Sequence, residues 1–111
     1  MQFLITALWS TSGNTCENLD DEYSVNDIPE DFKRMCQIHV DMFIEKAQDL
    51  NLFTDKELED TSTIEHDLWL TIHGHGAGFW DGDYKKGREL TELVKSLKLS
   101  YLQDELRDLI D

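Results

Sequence analysis

The chain has 111 residues, two cysteines and a formal net charge of −14, and 40% of its residues are apolar. That length and apolar content fit one domain, residues 1–111, with a modest core, and they exclude a disulfide-built scaffold. The acidic excess opposes direct contact with nucleic acid and favours basic protein surfaces or cations.

The charge is unevenly placed. Residues 1–84 carry a net −14, residues 85–98 a net +3 and residues 99–111 a net −3. Glu17 to Asp31 holds seven acids and no base. No stretch reaches the roughly 18 apolar residues of a membrane span. The first ten residues have no basic segment and are interrupted by Thr6, so they read as a first strand rather than a secretion signal. With two cysteines and no such signal, free thiols in a reducing cytoplasm are expected.

In chain order, Phe3 to Trp9 is apolar and reads as strand 1, and Thr11 to Asn26 as a long polar loop anchored by Leu19, Tyr23, Val25 and Ile28. Asp27 is placed to cap a helix with Pro29, Glu30 and Asp31 in its first turn. That helix runs from Pro29 to Leu50, with Phe32, Met35, Cys36, His39, Phe43, Ala47 and Leu50 on one face at spacings of three and four. Thr54 and Glu57 match a capping box and start a short helix to about Glu59. Asp67 to His73 alternates through Leu68, Trp69, Leu70 and Ile72 and reads as strand 2. Gly74 to Gly82 continues as a glycine-bulged strand or a loop, with a hairpin bend at Asp81 to Asp83. Gly87 to Lys98 is an amphipathic helix with its basic side chains outward, and Ser100 to Ile110 is another. Leu99, Leu102, Leu106 and Leu109 step by 3, 4 and 3, a seam that fits a packed tail helix better than a dimer contact. The order β, loop, α, short α, β, α, α gives an α+β fold: a small antiparallel sheet packed against two or three helices in a two-layer sandwich.

The densest local signal is Leu70 to Gly82, which contains four of the six glycines, His73 and His75, and Trp80. A glycine at nearly every second position costs backbone entropy, so the backbone there needs φ > 0, a bulge or close approach of another group. On a strand, His73 and His75 would share a face, and with Asp81 or Asp83 they could hold zinc or another transition metal. The commoner explanation is that His75 bonds backbone opened by the bulge while His73 sits half exposed. The Gly-x-Gly-x-Gly spacing lacks the lysine and Ser/Thr of a phosphate loop. Cys36 and His39, one turn apart, could form a nucleophile pair, but Met35, Val40 and Phe43 around them fit a buried thiol instead. Trp9, Trp69 and Trp80 are core or groove-lining, and Trp80 is the one expected to be partly exposed.

The acidic segment offers Glu17, Asp20, Asp21, Glu22, Asp27, Glu30 and Asp31. Its spacing is not that of a Ca²⁺ loop. Its ordinary explanation is a solvated face. Its sharper one is imitation of DNA phosphates, which would occupy the basic groove of a nucleic-acid enzyme.

The segments ALWST at 7–11, LDDEYSVNDIPE at 19–30, HDLWLT at 66–71 and GHGAGFWDG at 74–82 resemble a group of small phage-encoded proteins, also seen in prophage-bearing bacterial genomes. The resemblance spans roughly residues 3–92. It departs at His73, where the pattern has asparagine, and after Leu99, where related chains end in a glycine-containing β-type tail. It carries over no catalytic residue. Taken with the acidic charge, it leads to the expectation of an accessory protein of the host cytoplasm that binds a host protein with a basic surface, with no cofactor expected. An acidic DNA mimic without enzymatic activity is favoured over a metal- or ligand-binding protein, conceivably an enzyme, centred on His73, His75, Trp80, Asp81 and Asp83.

Overall fold

The computed structural model describes residues 1–74, 78–81 and 83–111. The described residues form helices and no strand: α1 (Gln2–Ser10), α2 (Glu30–Asp49), α3 (Asp55–Leu58), α4 (Thr61–Ile72), α5 (Gly87–Ser96) and α6 (Leu102–Ile110), with 3₁₀ turns at Leu19–Asp21, Val25–Asp27 and Phe79–Asp81. The expected α+β sandwich is therefore replaced by an all-helical packing.

Both expected strands are helices, and they pair with each other. In α1, Phe3, Leu4, Ala7 and Leu8 are buried while Ile5 and Trp9 face solvent. That is a helical period, whereas a strand would have placed Phe3, Ile5, Ala7 and Trp9 together. In α4, Ile64, Leu68 and Trp69 are buried along one side. Its start lies upstream of the alternating run, where the Asp60 carboxylate accepts from the Thr63 N–H at 3.1 Å and caps the helix. A short apolar run such as Leu68 to Ile72 suits either period, and the upstream cap decides it.

Polar and aromatic contacts lock α1 onto α4. The Phe3 N–H donates to Glu65 Oε1 at 3.1 Å, Thr6 Oγ1 lies 2.8 Å from His66 Nδ1, and Trp69 Nε1–H donates to Ser10 Oγ at 2.8 Å. The Phe3 ring meets Trp69 edge-on at 5.2 Å. Each bond satisfies a group that would otherwise be desolvated at the junction.

Helix α2 buries Phe32, Cys36, Val40, Phe43 and Ala47, the face its spacing predicts. Leu50, expected at the end of that face, is exposed, and Met35 is only partly buried. Asp27 does not cap α2. Its carboxylate accepts from its own turn, at Ser24 N, 2.8 Å away, and Pro29 takes the cap position. The Thr54 capping box forms as expected: Thr54 N–H to Glu57 Oε1 at 2.8 Å, and Glu57 N–H to Thr54 Oγ1 at 3.1 Å.

The leucine seam docks on its own domain. Leu99, Leu102 and Leu106 are buried and Leu109 is exposed. Arg107 Nε donates to the Ser12 carbonyl at 2.7 Å. The Asp111 side chain accepts from the Asn14 N–H, from Thr15 Oγ1 at 2.6 Å and from Tyr23 Oη at 3.0 Å. These bonds hold the Asp111 carboxyl below the usual carboxylate range, the Thr15 hydroxyl contributing most.

Two glycines of the run have conformations that explain them. Gly74 follows the α4 cap with φ +67°, the left-handed position that ends many helices. Gly78 has φ +118°, and a Cβ there would collide with Thr71 Oγ1. The same hydroxyl donates to the Asp67 carbonyl at 2.7 Å and accepts from Phe79 N–H at 3.1 Å. Gly78→Ala is expected to lower unfolding stability in urea by roughly 2–4 kcal/mol, through strain plus a displaced threonine. Gly74→Ala meets nothing within 4 Å and should cost about 1–2 kcal/mol through φ alone. Thr11 Oγ1 is buried with no hydrogen-bond partner among the described residues. Thr11→Val, which removes that hydroxyl at constant shape, should raise stability by roughly 1 kcal/mol in the same assay.

Candidate functional site

The acidic segment is exposed, and it is anchored. Leu19 and Ile28 are buried at 0% and 2% exposure, and the Leu19 N–H donates to the Thr11 carbonyl at 2.9 Å. Between and beyond these anchors, Glu17, Asp20, Asp21, Glu22, Asp27, Glu30 and Asp31 are all exposed. Asp21 is fixed by accepting from Asn18 N at 3.0 Å, as Asp27 is by Ser24 N. Glu30 pairs with Lys33 at 3.1 Å and Asp31 pairs with Arg34. Among the described residues, Glu17, Asp20, Asp21, Glu22 and Asp27 have no cation within 4.0 Å.

The described part of the histidine-glycine segment, residues 70–74 and 78–81, contains no strand. His73 is the cap residue of α4, not a strand residue, so the alternation that would have aligned it with His75 does not apply there. His73 is half-buried, with its ring 4.2 Å from that of Trp69. His75 lies outside the described residues, as does Gly82, which was to turn the hairpin. Asp81 and Asp83 are both exposed. Among the described residues no group of three or more His, Cys, Asp or Glu side chains is arranged to hold a metal ion.

Trp80 is 67% exposed and Trp69 fully buried. Trp9, expected in the core or a groove, is exposed instead, its ring 6.0 Å from that of His66. The Cys36 thiol is fully buried, and burial pushes it up to about 12, so it carries no thiolate at neutral pH. His39 lies with Nε2 3.4 Å from Tyr101 Oη.

One cluster was not anticipated from the sequence. Asp67, half-buried on α4, accepts from Tyr84 Oη at 2.6 Å. Glu57 spends one carboxylate oxygen on the Thr54 cap and accepts the Lys85 N–H with the other at 3.0 Å. These groups, with Asp60 and Thr63, line a depression of about 510 Å³. Reading 67–73 as a strand hid it, since only a helix from residue 61 stacks Asp60, Thr63 and Asp67 along one side. Burial raises the Asp67 carboxyl, and the Tyr84 hydroxyl bond only partly offsets this. An acid raised in the folded state binds more protons folded than unfolded. Its contribution is therefore fullest below the ordinary aspartate range and is lost as pH rises through its folded value. Asp67→Asn, which can still accept from Tyr84, should raise Tm at neutral pH, and the gain should shrink to nothing below about pH 4. Thermal melts of both proteins across that range check it.

No protein-family model, no curated protein and no solved structure matches this chain. Among the described residues no helix is long and apolar enough to cross a membrane.

Proposed function

We propose that this chain is a small acidic accessory protein, phage-encoded as its resemblance implies, that acts by binding a basic protein surface in the host cytoplasm rather than by catalysis. The basic surface is of the kind that otherwise holds nucleic acid. The observation that supports this is the anchored acidic stretch: seven carboxylates exposed between residues 17 and 31, on backbone pinned by Leu19 and Ile28. Charges held on ordered backbone lose little entropy on docking, and a basic groove that gives up its bound anions gains from their release. The Cys36 thiol is fully buried, which leaves it out of reach of a substrate.

Pull-down from host lysate tests the reading. Capture of a nucleic-acid-binding protein should weaken by about tenfold or more between roughly 50 and 200 mM salt, and duplex DNA should compete it away. Glu17→Gln, Asp20→Asn, Glu22→Gln, Glu30→Gln and Asp31→Asn combined should abolish capture, with the circular dichroism of the native helices retained. Asp21 and Asp27 are left in place because they hold the turns. Capture that resists salt and survives the neutralised variant would sink the proposal.

A further inference from the structure

Helix α5 has two faces with different tasks. Leu90 and Val94 are buried in the core. Arg88, Thr91, Glu92 and Lys95 instead line a groove of about 370 Å³, together with Leu70, Thr71, Gly74 and Trp80. That volume lies in the range of small-molecule sites. Leu70 is 4% exposed and gives the groove an apolar wall.

Trp80 is held there by its neighbours. Phe79 is fully buried, and the Asp81 N–H donates to the Gly78 carbonyl at 3.2 Å, closing the turn. The indole cannot follow Phe79 inside, so it stands 67% exposed on fixed backbone. An exposed indole is a stacking surface for flat rings.

The charge of the groove runs against that of the chain. One of its walls lies on the segment with net +3 in a protein of net −14. Lys95 has no carboxylate within 4.0 Å among the described residues, and Arg88 meets Glu92 only at 3.7 Å, with both side chains mostly exposed. An anion entering the groove meets the Lys95 ammonium and the Arg88 guanidinium against the single carboxylate of Glu92, so cations outnumber carboxylates in the lining.

We infer that this groove binds a small ligand in which a flat aromatic ring is joined to a single anionic group, the ring stacking on Trp80 and the anion meeting Lys95 and Arg88. The site is separate from the acidic segment, and it stands or falls independently of the binding role proposed for that segment. A neutral ring would forgo the charge contact, and an anion without a ring would forgo the stacking.

Indole N–H signals in proton–nitrogen correlation spectra, assigned with Trp80→Phe, read the site directly. The probes are 2-naphthoate and 2-naphthyl phosphate, with 2-naphthol and acetate as controls. The Trp80 signal should shift saturably with one or both anionic probes, while the Trp9 and Trp69 signals stay in place. Trp80→Ala should weaken binding by about tenfold or more, and Lys95→Gln by about fivefold. Both side chains are exposed, and unchanged circular dichroism verifies that each variant is folded. Whichever probe binds more tightly identifies the anion as carboxylate or phosphate. No saturation by about 1 mM of either anionic probe, equal binding of 2-naphthol, or binding unchanged in both variants would each overturn the inference.

Discussion

Phe79 is the residue on which most of the architecture turns. Its ring is fully buried, stacked on Phe43 of α2 at 5.5 Å and edge-on to Phe53 at 6.0 Å and Tyr84 at 4.9 Å. One side chain thus ties α2, the segment before α3 and the approach to α5 into a single core. Truncating a phenylalanine so placed ordinarily costs ~3–5 kcal/mol, a large share of the stability of a small domain. The bond from the Phe79 backbone N–H to the Thr71 side-chain hydroxyl fastens the same point to α4, and Gly78 is the residue that lets the chain come close enough. Trp80 and Tyr84 follow from it: the next residue in the turn is forced outward, and five residues on, the phenol is set against Asp67.

The charge of the chain makes this apolar anchoring necessary. The ion pairs among the described residues, Lys33–Glu30, Arg34–Asp31, Arg88–Glu92 and Arg107–Asp104, each lie within one helix at i,i+3 or i,i+4. Such exposed local pairs contribute little, and none ties one helix to another. What joins the helices is burial, together with neutral or singly charged hydrogen bonds such as Trp69 to Ser10 and Arg107 to the Ser12 carbonyl. Carboxylates left unpaired repel one another and lie in solvent, where their mutual repulsion is screened. The surface that results is divided: an anchored acidic stretch at 17–31, and a basic helix flank beside an exposed indole. Opposite chemistry on the two surfaces suits them to different ligands.

Several carboxylates serve the fold itself. Glu57 caps α3 and receives Lys85, Asp60 caps α4, Asp67 receives Tyr84, and Asp111 gathers Asn14, Thr15 and Tyr23. Each accepts N–H or O–H groups that would otherwise lack partners, so part of the acidic excess serves the fold rather than a partner.

Local chemistry settled several elements before any packing was known. The three-and-four spacing from Phe32 to Ala47 determined α2, the Thr54–Glu57 box determined α3, and the spacing of Leu90 and Val94 and of Leu102 and Leu106 determined the last two helices. Composition alone determined that residues 17–31 are acidic, and glycine density marked Gly74 to Gly82 as a place with special backbone needs. Tertiary structure decided the rest. FLITALW and LWLTI are too short and too uniformly apolar to distinguish a period of two from one of 3.6; their type was resolved by burying both against each other as helices, with Asp60 starting the second seven residues before the alternating run. Tertiary structure likewise brought Tyr84 to Asp67 and Trp80 beside Arg88 and Lys95, because the spacing that matters there is measured through the core and not along the chain.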